Sequence, residues 1–149
     1  MLEIRTAQPS DCSSIIEFQI AMAIESEDLF LDPQIVKLGV EAVFKDPSKG
    51  NYWVALIDRV IVGCLLVIPE WSDWRSSTIL WIHSVFVAPD ARRNGIFSAM
   101  YTKLRLMVEQ SHDFAGLRLY VDRANAIAQK TYESLGMSRE HYYLYEWLR

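Results

Sequence analysis

Apolar residues recur along this chain with two periods, and each change of period marks a new element of secondary structure. Residues 2–6 alternate between apolar and polar side chains, as a half-buried strand does. Residues 9–11, Pro-Ser-Asp, signal a helix start, and apolar positions then follow at helical spacing as far as Glu27. A second amphipathic helix is predicted from Asp32 and Pro33, because proline suits the first turn of a helix.

The middle of the chain is rich in β-branched and aromatic residues, which favour strands. The predicted elements are, in order, strands over 52–57 and 60–68 with a hairpin turn at 58–59, a loop over 71–76, a strand over 78–87 and a helix over 94–110. The polar loop over 46–51 separates this region from the second helix.

The last third predicts a short strand over 117–121, a helix over 125–135 and a final strand over 141–148. Gly136 is expected to end the helix in a left-handed conformation. The order β-α-α-β-β-β-α-β-α-β predicts an α/β fold of the α+β type, with a mixed central sheet flanked by helices. Few residues follow Gly136, so the C-terminal strand region is shortened. We expect one domain over residues 1–149.

Composition supports an ordinary soluble domain. The chain has 149 residues, 51% of them hydrophobic and 23% charged, and no apolar run is long enough to cross a membrane. Its net charge of −4 argues against a nucleic-acid partner. The N-terminus has no cationic lead or apolar signal core, and Cys12 and Cys64 are isolated, so a cytoplasmic protein is expected. Neither His112 nor His141 forms a metal-ligand pattern with these cysteines.

One segment carries more chemistry than the rest of the chain, the strand–turn–helix sequence over 81–98. Its strand ends at Val87-Ala88-Pro89, and a polar turn then opens a helix. Backbone N–H groups in such a turn, with the positive end of the helix dipole, form a site for a phosphate or pyrophosphate. The predicted anion-binding residues are Arg92, Arg93, Asn94, Gly95, Ile96, Phe97 and Ser98.

A second motif follows over 118–137, where a short strand leads into a helix. Asn125 is placed to cap that helix, and Ala128 leaves room for a ligand to lie close to it. Tyr132 projects its hydroxyl one turn further along, and a phenol can donate a proton at neutral pH.

Together the two motifs resemble those of the GNAT family of N-acetyltransferases. The family has R-x-x-G-x-G/A after a strand ending V-x-P, and N-x-x-A-x-x-x-Y-x-x-x-G-F downstream. The matching positions are Arg92, Gly95, Asn125, Ala128, Tyr132 and Gly136. Phe97 departs from the family pattern, which has a small residue there, and Met137 replaces the phenylalanine. Neither motif fits a Walker A loop or a dinucleotide fingerprint.

The resemblance implies acetyl-coenzyme A as the donor and direct transfer of its acetyl group to an amine. It implies that the backbone of Val85, Phe86 and Val87 pairs with the pantetheine arm, and that the N–H of Phe86 or Val87 polarises the thioester carbonyl. Asn125 would bind an amide of the arm, and Tyr132 would protonate the departing thiolate.

The acceptor side is expected to recognise a cation and remove its proton, because free alkyl amines are protonated at pH 7. Candidate carboxylates lie at Glu25, Glu27 and Asp28 and at Glu70 and Asp73, in segments that the family fold brings face to face across a groove. The alternative for the first group is a solvated helix end. Trp71 and Trp74 are candidates for an aromatic wall around the cation, or for a lid or dimer contact.

His83 is the candidate base, since it takes the place of a glutamate in the diamine acetyltransferases, which the N-terminal segment also resembles. Histidine has a suitable pKa for a base near neutrality. The alternative is that His83 is a structural residue. The proton would then be carried by a water chain, or by Glu70 or Glu25 through water.

These expectations combine into one functional prediction. The chain is predicted to be an acetyl-CoA-dependent N-acetyltransferase acting on a primary amine of a small cationic molecule, without a metal. The alternatives are a coenzyme A-binding module without transfer activity, which Phe97 favours, and a protein or O-acetyltransferase. A homodimer is also predicted, because the tyrosine-rich C-terminal strand leaves an edge that a second copy would cover.

Overall fold

Two tight hairpin turns decide the order of the strands. The computed structural model describes residues 1–149, which form two compact units, Met1–Arg118 and Leu119–Arg149. In the first unit five strands pair in the order β1-β2-β3-β4-β5. They are β1 (Leu2–Thr6), β2 (Asn51–Ile57), β3 (Val60–Ser72), β4 (Ser77–Val87) and β5 (Phe114–Arg118).

The first hairpin has the predicted chemistry. Asp58 and Arg59 both have positive φ, 49° and 70°, which is the conformation of a two-residue turn that matches strand twist. The connection to the next strand, over 73–76, is shorter than the predicted loop over 71–76, because Trp71 and Ser72 continue β3. The ladders are antiparallel except for β4 with β5, which are parallel and joined by a helical crossover.

Three helices complete this unit: α1 (Cys12–Glu27), α2 (Pro33–Lys45) and α3 (Ile96–Glu109). The start of α1 is fixed by Asp11, whose carboxylate accepts from the Arg5 guanidinium at 2.7 and 3.1 Å and from the N–H of Gln8 at 2.7 Å. These contacts hold the pKa of Asp11 below its usual value. The start of α2 is capped by Asp32, as predicted.

The helices cover opposite faces of the sheet. The face under α1 and α2 carries one apolar cluster: Ile15, Val40, Tyr52, Val54, Leu56, Cys64, Leu66 and Phe86. On β3 the neighbouring Gly63 faces the other way, and a Cβ on it would lie 3.5 Å from Ile96 of α3. The core therefore lies in two layers, because successive residues of a strand point to opposite faces.

The second unit contains one regular element, the helix α4 (Ala126–Ser134). The strand predicted over 117–121 is wrong in position. The observed strand, β5, covers Phe114–Arg118 and pairs with residues 78–81 of β4. The strand predicted over 141–148 is also wrong, because that segment has no strand pairing and its large side chains, among them Tyr145 and Trp147, are exposed. The homodimer stays a prediction. None of the four helices combines the length and the apolar composition of a membrane span.

Candidate functional site

The edge of β4 is open along its second half. The ladder between β4 and β5 ends where Trp81 pairs with Arg118, so no strand follows β4 on that side over 82–87. Such an edge presents backbone N–H and C=O groups to an extended ligand. The strand residues predicted to pair with a pantetheine arm, Val85, Phe86 and Val87, all lie on this open stretch.

A β-bulge distorts the same stretch. Phe86 pairs with Cys64 and His83 pairs with Leu66, so Ser84 and Val85 together oppose a single residue of β3. Ser84 has a positive φ of 52°. The bulge places His83 and Phe86 on the same face, three residues apart, where regular alternation would separate them. No sequence pattern predicts this bulge, since the residue in the left-handed conformation is not glycine.

The ladder pattern also orients the last residue of β4. The N–H of Ala88 donates to the carbonyl of Val62 at 2.8 Å, and the next pair along is Gly63 with Val87. Hydrogen-bonded and non-hydrogen-bonded pairs alternate in an antiparallel ladder. The N–H and C=O of Val87 therefore point away from β3, toward the open edge.

The turn after β4 leads into an uncapped helix. Arg93 and Gly95 have positive φ values of 63° and 70°, and Gly95 is the N-cap of α3 without any side-chain cap. The first helical hydrogen bond is closed by the N–H of Ala99 to the carbonyl of Gly95, at 2.9 Å. The N–H groups of the first turn are thus left for an anion, and a Cβ built on Gly95 would meet no atom within 4 Å.

Two of the predicted anion-binding side chains are instead part of the turn. Arg92 donates from Nε to the carbonyl of Val87 at 2.9 Å, and its guanidinium lies 5.5 Å from the centre of the Phe86 ring. Asn94 donates from Nδ2 to the carbonyl of Ala91 at 3.2 Å. Arg93, by contrast, is exposed.

Arg92 also binds a residue predicted for the acceptor side. Its Nη1 lies 2.6 Å from Oε1 of Glu25, and its Nη2 donates to Oε2 at 2.7 Å. The two residues are 67 positions apart in the chain, so no sequence pattern could pair them. The Arg92 guanidinium lowers the pKa of Glu25.

Phe97 does not enter the turn. Its half-buried ring packs along α3 against Tyr101, one helical turn further on, with ring centres 6.3 Å apart. The large ring at the position of a small family residue is thus accommodated by packing along the helix.

His83 lies on the α1–α2 face of β4, because its partner Leu66 belongs to the cluster on that face. It is half-buried and stacks on Trp81, with ring centres 6.0 Å apart and planes at 24°. Burial lowers the pKa of His83, so the imidazole is neutral at physiological pH.

The other acceptor candidates do not gather around Glu25. Glu70 pairs with Ile79 in the ladder and receives a hydrogen bond from Arg118 at 3.1 Å. The distance along β4 from Ile79 to Val87 is eight residue steps, roughly 26 Å at about 3.3 Å per step. Glu70 and Glu25 therefore lie toward opposite ends of β4, and the structure does not bring them together.

The aromatic candidates lie beyond Glu70, at the same end of β3 and in the turn that follows it. Trp71 is 65% exposed and Trp74 is 89% exposed, and Asp73 accepts from the N–H of Trp74 at 3.0 Å in the hairpin turn. Their rings do not contact each other. Glu27 is exposed at the end of α1. No three His, Cys, Asp or Glu side chains in residues 1–149 are grouped to hold a metal ion.

In the second unit, α4 has the predicted caps. Oδ1 of Asn125 accepts from the N–H of Ala128 at 3.1 Å. Gly136 has a φ of 87°, and the N–H of Met137 donates to the carbonyl of Tyr132 at 3.1 Å, which forms a Schellman cap. The main chain of Tyr132 is thereby fixed, and burial raises the pKa of its phenol.

Comparison with known proteins gives a consistent picture. The model of the acetyltransferase (GNAT) family matches residues 17–137. A possible acetyltransferase from Clostridium difficile 630 is 36% identical, with a TM-score of 0.93 over 100% of this chain and 98% of that one. No curated protein gives a significant match.

Two more distant structures share the fold. One is an aminoglycoside acetyltransferase from an uncultured soil metagenomic sample in complex with sisomicin, at 17% identity and a TM-score of 0.76 over 99% of this chain and 97% of that one. The other is a ribosomal-protein-alanine N-acetyltransferase from Brucella melitensis biovar Abortus 2308, at 16% identity and a TM-score of 0.79 over 99% of both chains. They support the predicted fold class and do not distinguish between acceptors.

Proposed function

The chain belongs to the acetyltransferase (GNAT) family, and we propose that it transfers an acetyl group from acetyl-CoA directly to a primary amine of a small cationic molecule. The observation that carries this proposal is the open, bulged edge of β4 running into the uncapped start of α3. An extended arm with a pyrophosphate at its end needs both features in that order.

The residues of this stretch fit acetyl-CoA. Backbone N–H groups at the start of α3, with the cation of Arg93, suit the pyrophosphate, and the open edge of β4 suits the amides of the pantetheine arm. Bound acetyl-CoA supplies the activated thioester from which the acetyl group is transferred. The ladder pattern supports the N–H of Val87, rather than that of Phe86, as the donor to the thioester carbonyl, because it points to the open edge.

We assign proton transfers to two side chains. His83, neutral at physiological pH, accepts a proton from the ammonium group of the acceptor so that the amine nitrogen can attack. Tyr132 donates its phenol proton to the leaving sulfur, a role that the resemblance of its motif implies. The lowered pKa of Glu25 makes that carboxylate a poor base near neutrality.

The cationic acceptor is supported by one carboxylate on the His83 face of the sheet, that of Glu70. Leu66 and Ile68 pack in the α1–α2 cluster, so Glu70, two residues on, projects from the same face by strand alternation. The likeness to the diamine acetyltransferases also favours a cationic acceptor, and it rests on the N-terminal segment and on the position of His83.

A module without transfer activity is less favoured, because the Phe97 ring packs along α3 and leaves the turn open.

The full-length protein tests this proposal directly. We expect coenzyme A to bind at micromolar concentrations in calorimetry, and acetyl-CoA to be consumed with at least one member of a panel of diamines, lysine analogues, aminoglycosides and peptides. Turnover of a peptide alone would identify a protein acetyltransferase. Binding without turnover of any amine would support the inactive module, and no binding at millimolar ligand would contradict the donor assignment.

The pH dependence of kcat tests His83. A base works in its neutral form, so activity falls as pH falls through the pKa of His83, which burial places below its ordinary value of 6.5. We expect His83→Gln to abolish this acid limb and to lower kcat about tenfold or more at pH 7.5. His112→Gln, an exposed histidine, is the control and should keep the limb. An unchanged limb in His83→Gln would assign the proton to another group.

A further inference from the structure

The side chain of Arg92 closes the turn that follows β4. It reaches back five residues to the carbonyl of Val87, and the short helical turn between them is closed by the N–H of Ala91 to the carbonyl of Ala88 at 2.9 Å. The stretch between the end of β4 and the start of α3 is therefore held by a side chain as well as by its own backbone.

Glu25 holds that side chain from the other end. Both carboxylate oxygens contact the guanidinium, at 2.6 and 2.7 Å, and the Phe86 ring lies against it at 5.5 Å. A guanidinium has five N–H donors, of which Val87 takes one and Glu25 takes two. Arg92 is thus fixed by three partners on two elements, the end of α1 and the end of β4.

We propose that Glu25 is a positioning residue for coenzyme A, acting through Arg92 to hold the end of β4 and the turn into α3. This inference rests on the proposed function. Removing the carboxylate releases two of the three hydrogen bonds of Arg92, so the guanidinium and the Val87 carbonyl lose their fixed geometry. The N–H groups that must meet the thioester and the pyrophosphate are then less well oriented, and the ligand has to order them on binding.

This role differs from that of an acceptor-binding carboxylate. Glu25 is already neutralised by a two-point contact with Arg92, and a cationic amine would have to displace the guanidinium. A positioning role predicts that coenzyme A binding depends on Glu25, with no acceptor present.

The sign of the effect separates positioning from simple charge. Coenzyme A is a polyanion, so removing a nearby carboxylate should tighten binding if only long-range electrostatics mattered. Removing the carboxylate should also tighten binding if the only effect of Glu25 were to neutralise the charge of Arg92. Positioning predicts the opposite, a weaker complex.

Calorimetry with coenzyme A provides the test, with thermal unfolding used to confirm that each variant is folded. Glu25→Gln should weaken binding about fivefold, a modest effect because the pair is partly exposed. Asp28→Asn is the matched control: it removes one negative charge at the same end of α1, and asparagine tolerates the left-handed conformation there, with φ of 51°. It should leave the dissociation constant within twofold or tighten binding.

A double-mutant cycle then tests the route through Arg92. In an Arg92→Met background, Glu25→Gln should have no further effect on the dissociation constant. Unchanged or tighter binding by the Glu25→Gln single variant would overturn the inference, and so would an equal loss in the Arg92→Met background. If the wild-type protein does not bind coenzyme A, the proposed function fails and this inference fails with it.

Discussion

Replacing Tyr132 with phenylalanine is expected to lower kcat by about 100-fold or more while leaving the dissociation constant for coenzyme A within about twofold. The substitution removes only the phenol oxygen, so the ring and its packing remain. Burial raises the pKa of this phenol, which keeps it protonated and able to donate across the neutral pH range. Steady-state kinetics with an amine that the wild-type protein acetylates, together with calorimetry, measures both quantities.

Tyr145→Phe is the matched control for this prediction. It removes the same atom from a tyrosine that is 91% exposed in the same unit, and both parameters should stay at their wild-type values. A kcat within threefold of wild type for Tyr132→Phe would eliminate the acid role. Weaker coenzyme A binding with unchanged kcat would instead identify Tyr132 as a binding residue.

Gly50→Ala is expected to destabilise the protein by about 3 kcal/mol or more, which lowers Tm by roughly 10 °C for a chain of this size. Gly50 directly precedes β2 and has a φ of 133°, a conformation that side-chain-bearing residues rarely adopt. A Cβ there would lie 2.6 Å from the carbonyl oxygen of Val67 and 3.0 Å from the Leu66 side chain. The obstacle is main chain of the central strand β3, so the contact cannot be relieved by a rotamer change.

Gly39→Ala is the control for this substitution, because it makes the same chemical change with the opposite expected sign. Gly39 lies inside α2, and a Cβ built on it meets no atom within 4 Å. Alanine there should stabilise the protein by about 0.5–1 kcal/mol. Urea or thermal unfolding of the two variants compares them directly, and a stability loss below 1 kcal/mol for Gly50→Ala would show that β2 shifts to accommodate the methyl group.

Helix boundaries and turns could be predicted closely because their causes are local. Asp32 and Pro33 start α2, Asn125 caps α4, and Gly136 ends it in the left-handed conformation, all as the sequence indicated. Each of these caps depends on groups within a few residues of one another, so a short window of sequence contains the whole interaction.

Strand boundaries were less predictable because a strand needs a neighbour. The residues over 117–121 and 141–148 have apolar and aromatic composition suited to strands, yet β5 ends at Arg118 and the tail forms no strand. The register of β5 is set by Thr78 and the following residues of β4, which lie far away in the chain. Composition shows that a segment suits a ladder, and it does not show where a partner is available.

The candidate site shows the same division between local and distant causes. The motif over 92–98 could be recognised as a turn and helix start, and the structure has both. The ion pair that joins Arg92 to Glu25 could not be recognised, since the sequence assigned these residues to different substrates. The grouping of Glu25 with Glu70 and Asp73 also depended on distances along β4 that a one-dimensional pattern does not contain.

The sequence alone therefore determined the helices, the hairpin at 58–59, the family resemblance and the order of the two motifs. Those features depend on contacts within a few residues, or on residues that stand in a fixed spacing. Tertiary structure alone decided the bulge at Ser84, the open edge of β4 and the partners of Arg92. The bulge and the partners of Arg92 arise where β3, β4 and α1 meet, and the open edge arises where the ladder between β4 and β5 ends. Segments up to 67 residues apart have to pack together before the side chains acquire their partners.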